Sequence, residues 1–416
     1  MRPRPTWAGL LLLFVLAGPG LAARGEVYAL VGGRIVPVSG PVIEKGTLVL
    51  RDGLVEALGP ALAAPADARV IDVQGATLTP GLIDGFGGIG LPSPRPSPAP
   101  DPLSPQALAL DRIRPADALK ARDSGITTAL VVPRAGVLPG RSVLINLAGD
   151  TAEGMALEQP AALHLQMATL PRSYPGSLMG TMAYARQALH DAAHYRDEWK
   201  AYRAAPRGKP RPRFDSALEA WQDVLAGKEL LVVTAPREND IRRALALADE
   251  FKLRLAVAGA LQAARLADVV KARKLPLLVS VDFDPPRPAP SRGFGGAADE
   301  ERERREIAEA ERNPAALHEA GVSFALVSGH APDFLAGVRK AIERGLPAEV
   351  ALRALTLAPA EALGVADRLG SLEPGKIANV VVWSGEPLAK DTRPRMVFVD
   401  GELYEPEPKA EKEARP

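Results

Sequence analysis

Leu78-Thr79-Pro80-Gly81-Leu82-Ile83-Asp84-Gly85-Phe86-Gly87-Gly88 decides how this chain is read. An apolar, strand-like run breaks at Pro80-Gly81, resumes at Leu82-Ile83 and delivers a carboxylate, Asp84, at a strand's C-terminal edge. Upstream, from 26 to about 72, short apolar segments alternate with the turn signals Gly32-Gly33, Ser39-Gly40 and Asp52-Gly53. That pattern predicts a small antiparallel sheet, and two further segments, 375–383 and 396–401, supply strands of the same kind near the other end. Downstream, eight strand candidates can be counted: 77–83, 126–132, 142–147, 162–167, 230–234, 254–258, 277–281 and 323–327. Amphipathic helical patterns over 115–123, 240–251, 261–272 and 332–344 fall between or after them. Strand-helix alternation of this kind predicts a parallel sheet closed into a barrel.

Three segments break the alternation. The run 92–102, with six prolines, cannot be helical and reads as a long loop after the first barrel strand, where loops line a barrel's functional face. The segment 204–215 is a basic, proline-broken connection. The segment 285–312 passes from proline-rich through glycine-rich to a charged run, 299–306, that reads as a solvated helix. The tail from 406 is charged and proline-containing.

The bulk numbers narrow the function. With 416 residues, 47% hydrophobic, the chain can bury a large core, and a net charge of +1 with 5% aromatics excludes a broad nucleic-acid-binding field. Arg2 and Arg4, then an apolar stretch from Trp7 to Ala17, then Gly18-Pro19-Gly20-Leu21-Ala22, have the order of a secretory signal peptide cleaved near Ala22. A retained anchor is the alternative. The expected destination is the periplasm or the exterior, with no membrane span after cleavage. The absence of cysteine excludes disulfides, thiolate metal sites and a lipid-anchored cysteine.

The stretch Pro80 to Gly88 resembles the amidohydrolase superfamily signature Pro-Gly-x-Ile-Asp-x-His-x-His. The resemblance extends along the chain. Gly125-Ile126-Thr127-Thr128 with Val131-Val132-Pro133 is similar to the second-strand region of imidazolonepropionase-like members, and 141–149 to the third. The run 351–361, Leu363-Gly364-Val365 and 370–376 are similar to that group's C-terminal signature. The resemblance implies a TIM-type (β/α)8 barrel over 81–368 and a β-sandwich built from 23–80 and 369–405, after a signal peptide at 1–22 and before a flexible tail at 406–416.

It also implies a catalytic divalent metal, zinc as the family norm, and here the sequence departs from the pattern. The two signature histidines are replaced by Phe86 and Gly88. Thr234 and Pro236 stand where histidines follow the fifth strand, and Gly259 where one follows the sixth. Gly329 stands where an aspartate activates the metal-bound water. A bound ion lowers the pKa of its water from about 16 to about 7, and none of these residues can hold one. The expectation is therefore no metal cofactor.

Other residues offer the parts of a rebuilt site. His164 in the fourth strand and His330 after the eighth could join Asp84 at the barrel mouth. His190-Asp191-Ala192-Ala193-His194 mimics a zincin helix, but its setting reads as a helix surface. Gly85-Phe86-Gly87-Gly88-Ile89-Gly90 has dinucleotide-fingerprint spacing, yet the prolines that follow exclude the helix such a site opens. Two functional readings stand: a non-catalytic binding protein or partner, as a homo-oligomer or with an active relative, and a hydrolase of carbon-nitrogen bonds other than peptide bonds, acting on cyclic amides or dipeptide-like substrates.

Overall fold

The N-terminal segment supplies strands β1 (Tyr28–Ile35), β2 (Ile43–Arg51), β3 (Leu54–Gly59), β4 (Arg69–Asp72) and β5 (Thr77–Pro80). The central segment supplies β6 (Leu82–Gly87), β7 (Ile126–Val131), β8 (Gly140–Asn146), β9 (Ala156–Gln166), β10 (Leu230–Ala235), β11 (Leu255–Gly259), β12 (Leu277–Ser280) and β13 (Ala325–Val327). The last three are β14 (Val380–Trp383), β15 (Pro394–Val399) and β16 (Glu402–Tyr404). This computed structural model describes residues 26–92, 103–134, 136–170, 174–283, 297–329, 331 and 333–406. The signal-like segment, nearly all of the 92–102 loop, the start of 285–312, His330 and the C-terminal tail lie outside the described residues.

The first sheet runs β16-β15-β14-β5-β1-β2-β3, with β4 beside β1, so chain from both ends builds one unit. Its hairpins follow from turn chemistry. Asp52-Gly53 joins β2 to β3 and Asp400-Gly401 joins β15 to β16, all four residues having positive φ (52°, 78°, 52° and 77°). Asp-Gly supplies the doubly left-handed turn that matches strand twist. Leu30, Ile35, Leu48, Leu78, Val380, Val382 and Phe398 form this unit's core.

The expected strand 77–83 is two strands in different sheets. The chain changes sheet at Gly81, whose N–H donates to Asn379 O (2.9 Å) while Leu82 N–H donates to Gly125 O (3.0 Å). A Cβ at Gly81 would stand 2.1 Å from Thr127 Oγ1, so only glycine allows the crossing there.

The second sheet follows chain order from β6 to β13. It closes where Gly329 N–H donates to Phe86 O at 2.9 Å. Alternate residues face opposite ways. Leu163, Leu165, Leu231, Val233, Val257 and Val279 pack outward against helix residues such as Leu189, Ile241 and Val338. Ile83, Phe86, Ala162, Val232, Ala256, Ala258, Leu278 and Val327 fill the interior with Ala358, Ala360 and Leu369. This is the side-chain-filled interior of a TIM-like barrel.

One departure matters. The expectation of a wholly parallel sheet fails at β8, which pairs antiparallel with both β7 and β9. The cause is connection length. Only residues 132–139 separate β7 from β8, and 147–155 separate β8 from β9, whereas a parallel return takes a dozen or more residues. The next connections are long enough for helices: Leu178–Ala204, Glu238–Phe251, Ala267–Arg273 and Ala297–Glu319, with Phe334–Glu343, Ala348–Leu355 and Leu357–Leu363 after β13.

A buried polar cluster joins the two units. Asn379 Nδ2 donates to Thr128 Oγ1 (3.1 Å) and Asn146 Oδ1 (3.0 Å), and Asn379 Oδ1 accepts from Asp400 N–H (3.0 Å). Within the first sheet, Trp383 Nε1 donates to Thr79 Oγ1 at 2.8 Å. Among the described residues, no helix is long and apolar enough to cross a membrane.

Candidate functional site

The upper end of β6 carries Asp84 and Phe86, with Gly88 just past it, and the chain after β13 comes back to meet them. Asp84 is fully buried. Its Oδ1 accepts from Ser328 N–H (2.9 Å) and its Oδ2 from Ser328 Oγ–H (2.6 Å), with a longer bond from Phe86 N–H (3.4 Å). Burial pushes the Asp84 carboxyl above its ordinary range, opposed by the Ser328 and Phe86 hydrogen bonds and the Arg134 charge. Asp84 thus ties the first barrel strand to the last.

Phe86 projects into the interior, its ring 5.8 Å from the His164 ring at 48°. His164 shares its face of β9 with Ala162 and is 1% exposed. Neither imidazole nitrogen has a hydrogen-bond partner, and burial holds the group at about 3, far below its ordinary 6.5. Two residues beyond Val232, the register partner of His164, Thr234 Oγ1 is also buried without a partner. His164 and Asp84 share no hydrogen bond. His330, the third residue of the rebuilt-site expectation, lies outside the described residues, so only two of the three can be placed.

The positions that the resemblance assigns to metal do not fit a divalent cation. Phe86 offers a ring. A Cβ on Gly88 would lie 2.1 Å from Arg134 Nη2 and 2.6 Å from its Cζ, so a permanently charged guanidinium covers that position. Gly259 faces Pro236, whose Cα lies 3.5 Å from where a Gly259 Cβ would be. Gly329 has φ 61° and leaves 2.4 Å between its own would-be Cβ and Ser280 Oγ, too little for an aspartate without rearrangement. Thr234 provides a lone neutral hydroxyl. Among the described residues no group of three or more histidine, aspartate or glutamate side chains could hold a metal ion.

Arg134 and Ser328 carry much of this geometry, and sequence reasoning assigned neither a role. The signal was present: a basic residue directly after Val131-Val132-Pro133, at the end of a barrel strand, sits where functional side chains gather. Asp84, Gly88, Arg134, Ser328, Asp333 and Phe334 line a cleft of about 390 Å³. His190 and His194 lie elsewhere, exposed on Leu178–Ala204. His190 packs on Phe251 and His194 faces Glu198 at 3.3 Å, a helix-surface arrangement.

A profile of the Amidohydrolase family matches residues 291–404. The amidohydrolase from Thermotoga maritima MSB8 superposes with a TM-score of 0.78 at 27% identity, covering 90% of this chain and 99% of that one. Shorter sequence matches occur to amidohydrolase tasK of Hapsidospora irregularis, 42% identical over 62 residues (15% of this chain), and to the dihydroorotase of Geotalea daltonii, 47% over 53 residues (13% of this chain). These matches span 6% and 12% of those two proteins.

Proposed function

We propose that this chain, which belongs to the amidohydrolase superfamily, does not run the superfamily's metal-dependent hydrolysis and serves as an exported small-molecule-binding or partner protein. The observation that carries the reading is the Arg134 guanidinium lying over Gly88, where the signature has a histidine. A cation at that point repels a second cation, and no carboxylate among the described residues forms an ion pair with it. Export rests on the basic, apolar, small-residue order of 1–22. The partner is a second copy of this chain or an active relative. Metal analysis of the purified mature protein tests the central claim: zinc, iron or manganese at about one per chain, held through dialysis, overturns it. N-terminal sequencing of exported protein, expected to begin after Ala22, tests the export claim separately.

A second reading keeps hydrolysis of non-peptide carbon-nitrogen bonds, through Asp84, His164 and His330. Burial, which pushes the Asp84 carboxyl above its ordinary range, favours it, since an acid shifted in that direction is a better proton donor to a leaving group. His164 held at about 3 is a poor proton acceptor at neutral pH. A screen of cyclic amides and dipeptides, repeated with His164→Ala and His330→Ala, decides it. A measurable rate unchanged by both substitutions sinks this version.

A further inference from the structure

We infer that Arg134 is a carboxylate anchor, and that the cleft between β6 and the chain following β13 binds a small monocarboxylate. The inference rests on reading the barrel as metal-free and adds the chemical class of its ligand. Gly88 and Arg134 act together: with no Cβ at 88, the guanidinium packs against that residue, its Nη2, Nε and Cζ all within 2.6 Å of the would-be Cβ position. Arg134 is exposed, and among the described residues it forms no salt bridge. An arginine fork lining a cleft offers parallel donors that match a carboxylate's two oxygens.

The surroundings limit what enters. The cleft, about 390 Å³, suits a small molecule. Asp84 is turned toward Ser328 by two hydrogen bonds and does not neutralise the guanidinium through a direct ion pair. Asp333 caps the helix Phe334–Glu343 through Ala336 N–H (3.0 Å) and places a second acid in the lining. A ligand with one carboxylate and a neutral or cationic far end satisfies this arrangement, whereas a second carboxylate would meet Asp333.

Calorimetric titration of the full mature protein with butyrate, 4-aminobutyrate, succinate and butyramide tests the assignment. The two monocarboxylates are expected to bind, succinate more weakly and butyramide not at all. Arg134→Gln is expected to weaken butyrate about tenfold or more, with Arg134→Lys between it and the parent. Gly88→Ala, which displaces the guanidinium without removing its charge, should weaken binding as well and guards against an Arg134 variant that fails to fold. Butyramide binding equal to butyrate, binding unchanged in Arg134→Gln, or no carboxylate binding by the parent protein each overturns the inference. Metal content measured on the same sample separates the two failures: bound metal sinks the metal-free reading, and metal-free protein indifferent to carboxylates sinks only the anchor.

Discussion

Replacing His164 by leucine should make the protein less sensitive to acid, by an amount that the structure sets. The imidazole sits in the barrel interior with both nitrogens unpartnered, at about 3 against an ordinary 6.5. Between those values the unfolded chain binds a proton that the folded chain refuses, so stability falls as pH drops from 6.5 toward 3. Each tenfold change in proton affinity is about 1.4 kcal/mol, so the full effect is about 5 kcal/mol, and about 2.5 kcal/mol of it is lost between about pH 7 and about pH 4.5. Leucine is similar in size and carries no proton. Asp84, whose raised carboxyl gives the opposite slope, is present in both proteins and cancels in the comparison.

The assay is urea unfolding of parent and His164→Leu at those two pH values, with the slope checked for constancy. At about pH 7 the variant should equal or exceed the parent, because leaving buried nitrogens unsatisfied costs about 1–3 kcal/mol. At about pH 4.5 its advantage should grow by about 2.5 kcal/mol. A gap that stays constant within about 0.5 kcal/mol, or a His164 resonance titrating near its ordinary value, refutes the placement of this imidazole in a dry interior.

Two glycines at the same 2.1 Å would-be Cβ distance should behave differently. At Gly81 the obstacle is Thr127, fully buried and β-branched, so Gly81→Ala should cost about 2–3 kcal/mol or more in chemical denaturation. At Gly88 it is the movable end of exposed Arg134, so Gly88→Ala should cost under about 1 kcal/mol; equal costs would contradict the contacts. Asn379→Ala removes the hub of the cluster joining sheet and barrel, leaving Thr128, Asn146 and the Asp400 N–H short of partners. A loss of about 2–3 kcal/mol is expected, and a change under about 0.5 kcal/mol would show that the cluster does not couple the units.

Much of the architecture was legible because it rests on short-range physics. Asp-Gly pairs set the hairpins, apolar segments about a strand long set the barrel staves, and Gly125 closes its helical segment with φ 80°. What was missed depends on distance in space. Nothing in Leu78 to Gly88 says that Pro80 belongs to one sheet and Leu82 to the other; that needs Asn379 and Gly125 as partners. The reversal at β8 was legible in the short intervals flanking it, but the eight-fold pattern hid it. At the site, each substituted position could be read singly. That Arg134 fills the space left by Gly88, and that Ser328 holds Asp84, required the strands to be assembled.

Asp84 ties the first barrel strand to the last. Its carboxylate spans from the first strand to the residue after the last through two hydrogen bonds to Ser328, and Gly329 N–H to Phe86 O adds a backbone bond at the same seam. These protein groups join the first and last strands at the seam. Phe86 fills the interior with hydrophobic area, which favours the folded state. On the proposed reading, exchanging the two signature histidines for Phe86 and Gly88 costs the scaffold little and puts the exposed Arg134 guanidinium where the superfamily holds a cation. On the proposed reading, the electrostatic preference of the site for an anionic group survives the exchange, and the chemistry that an activated water would perform does not.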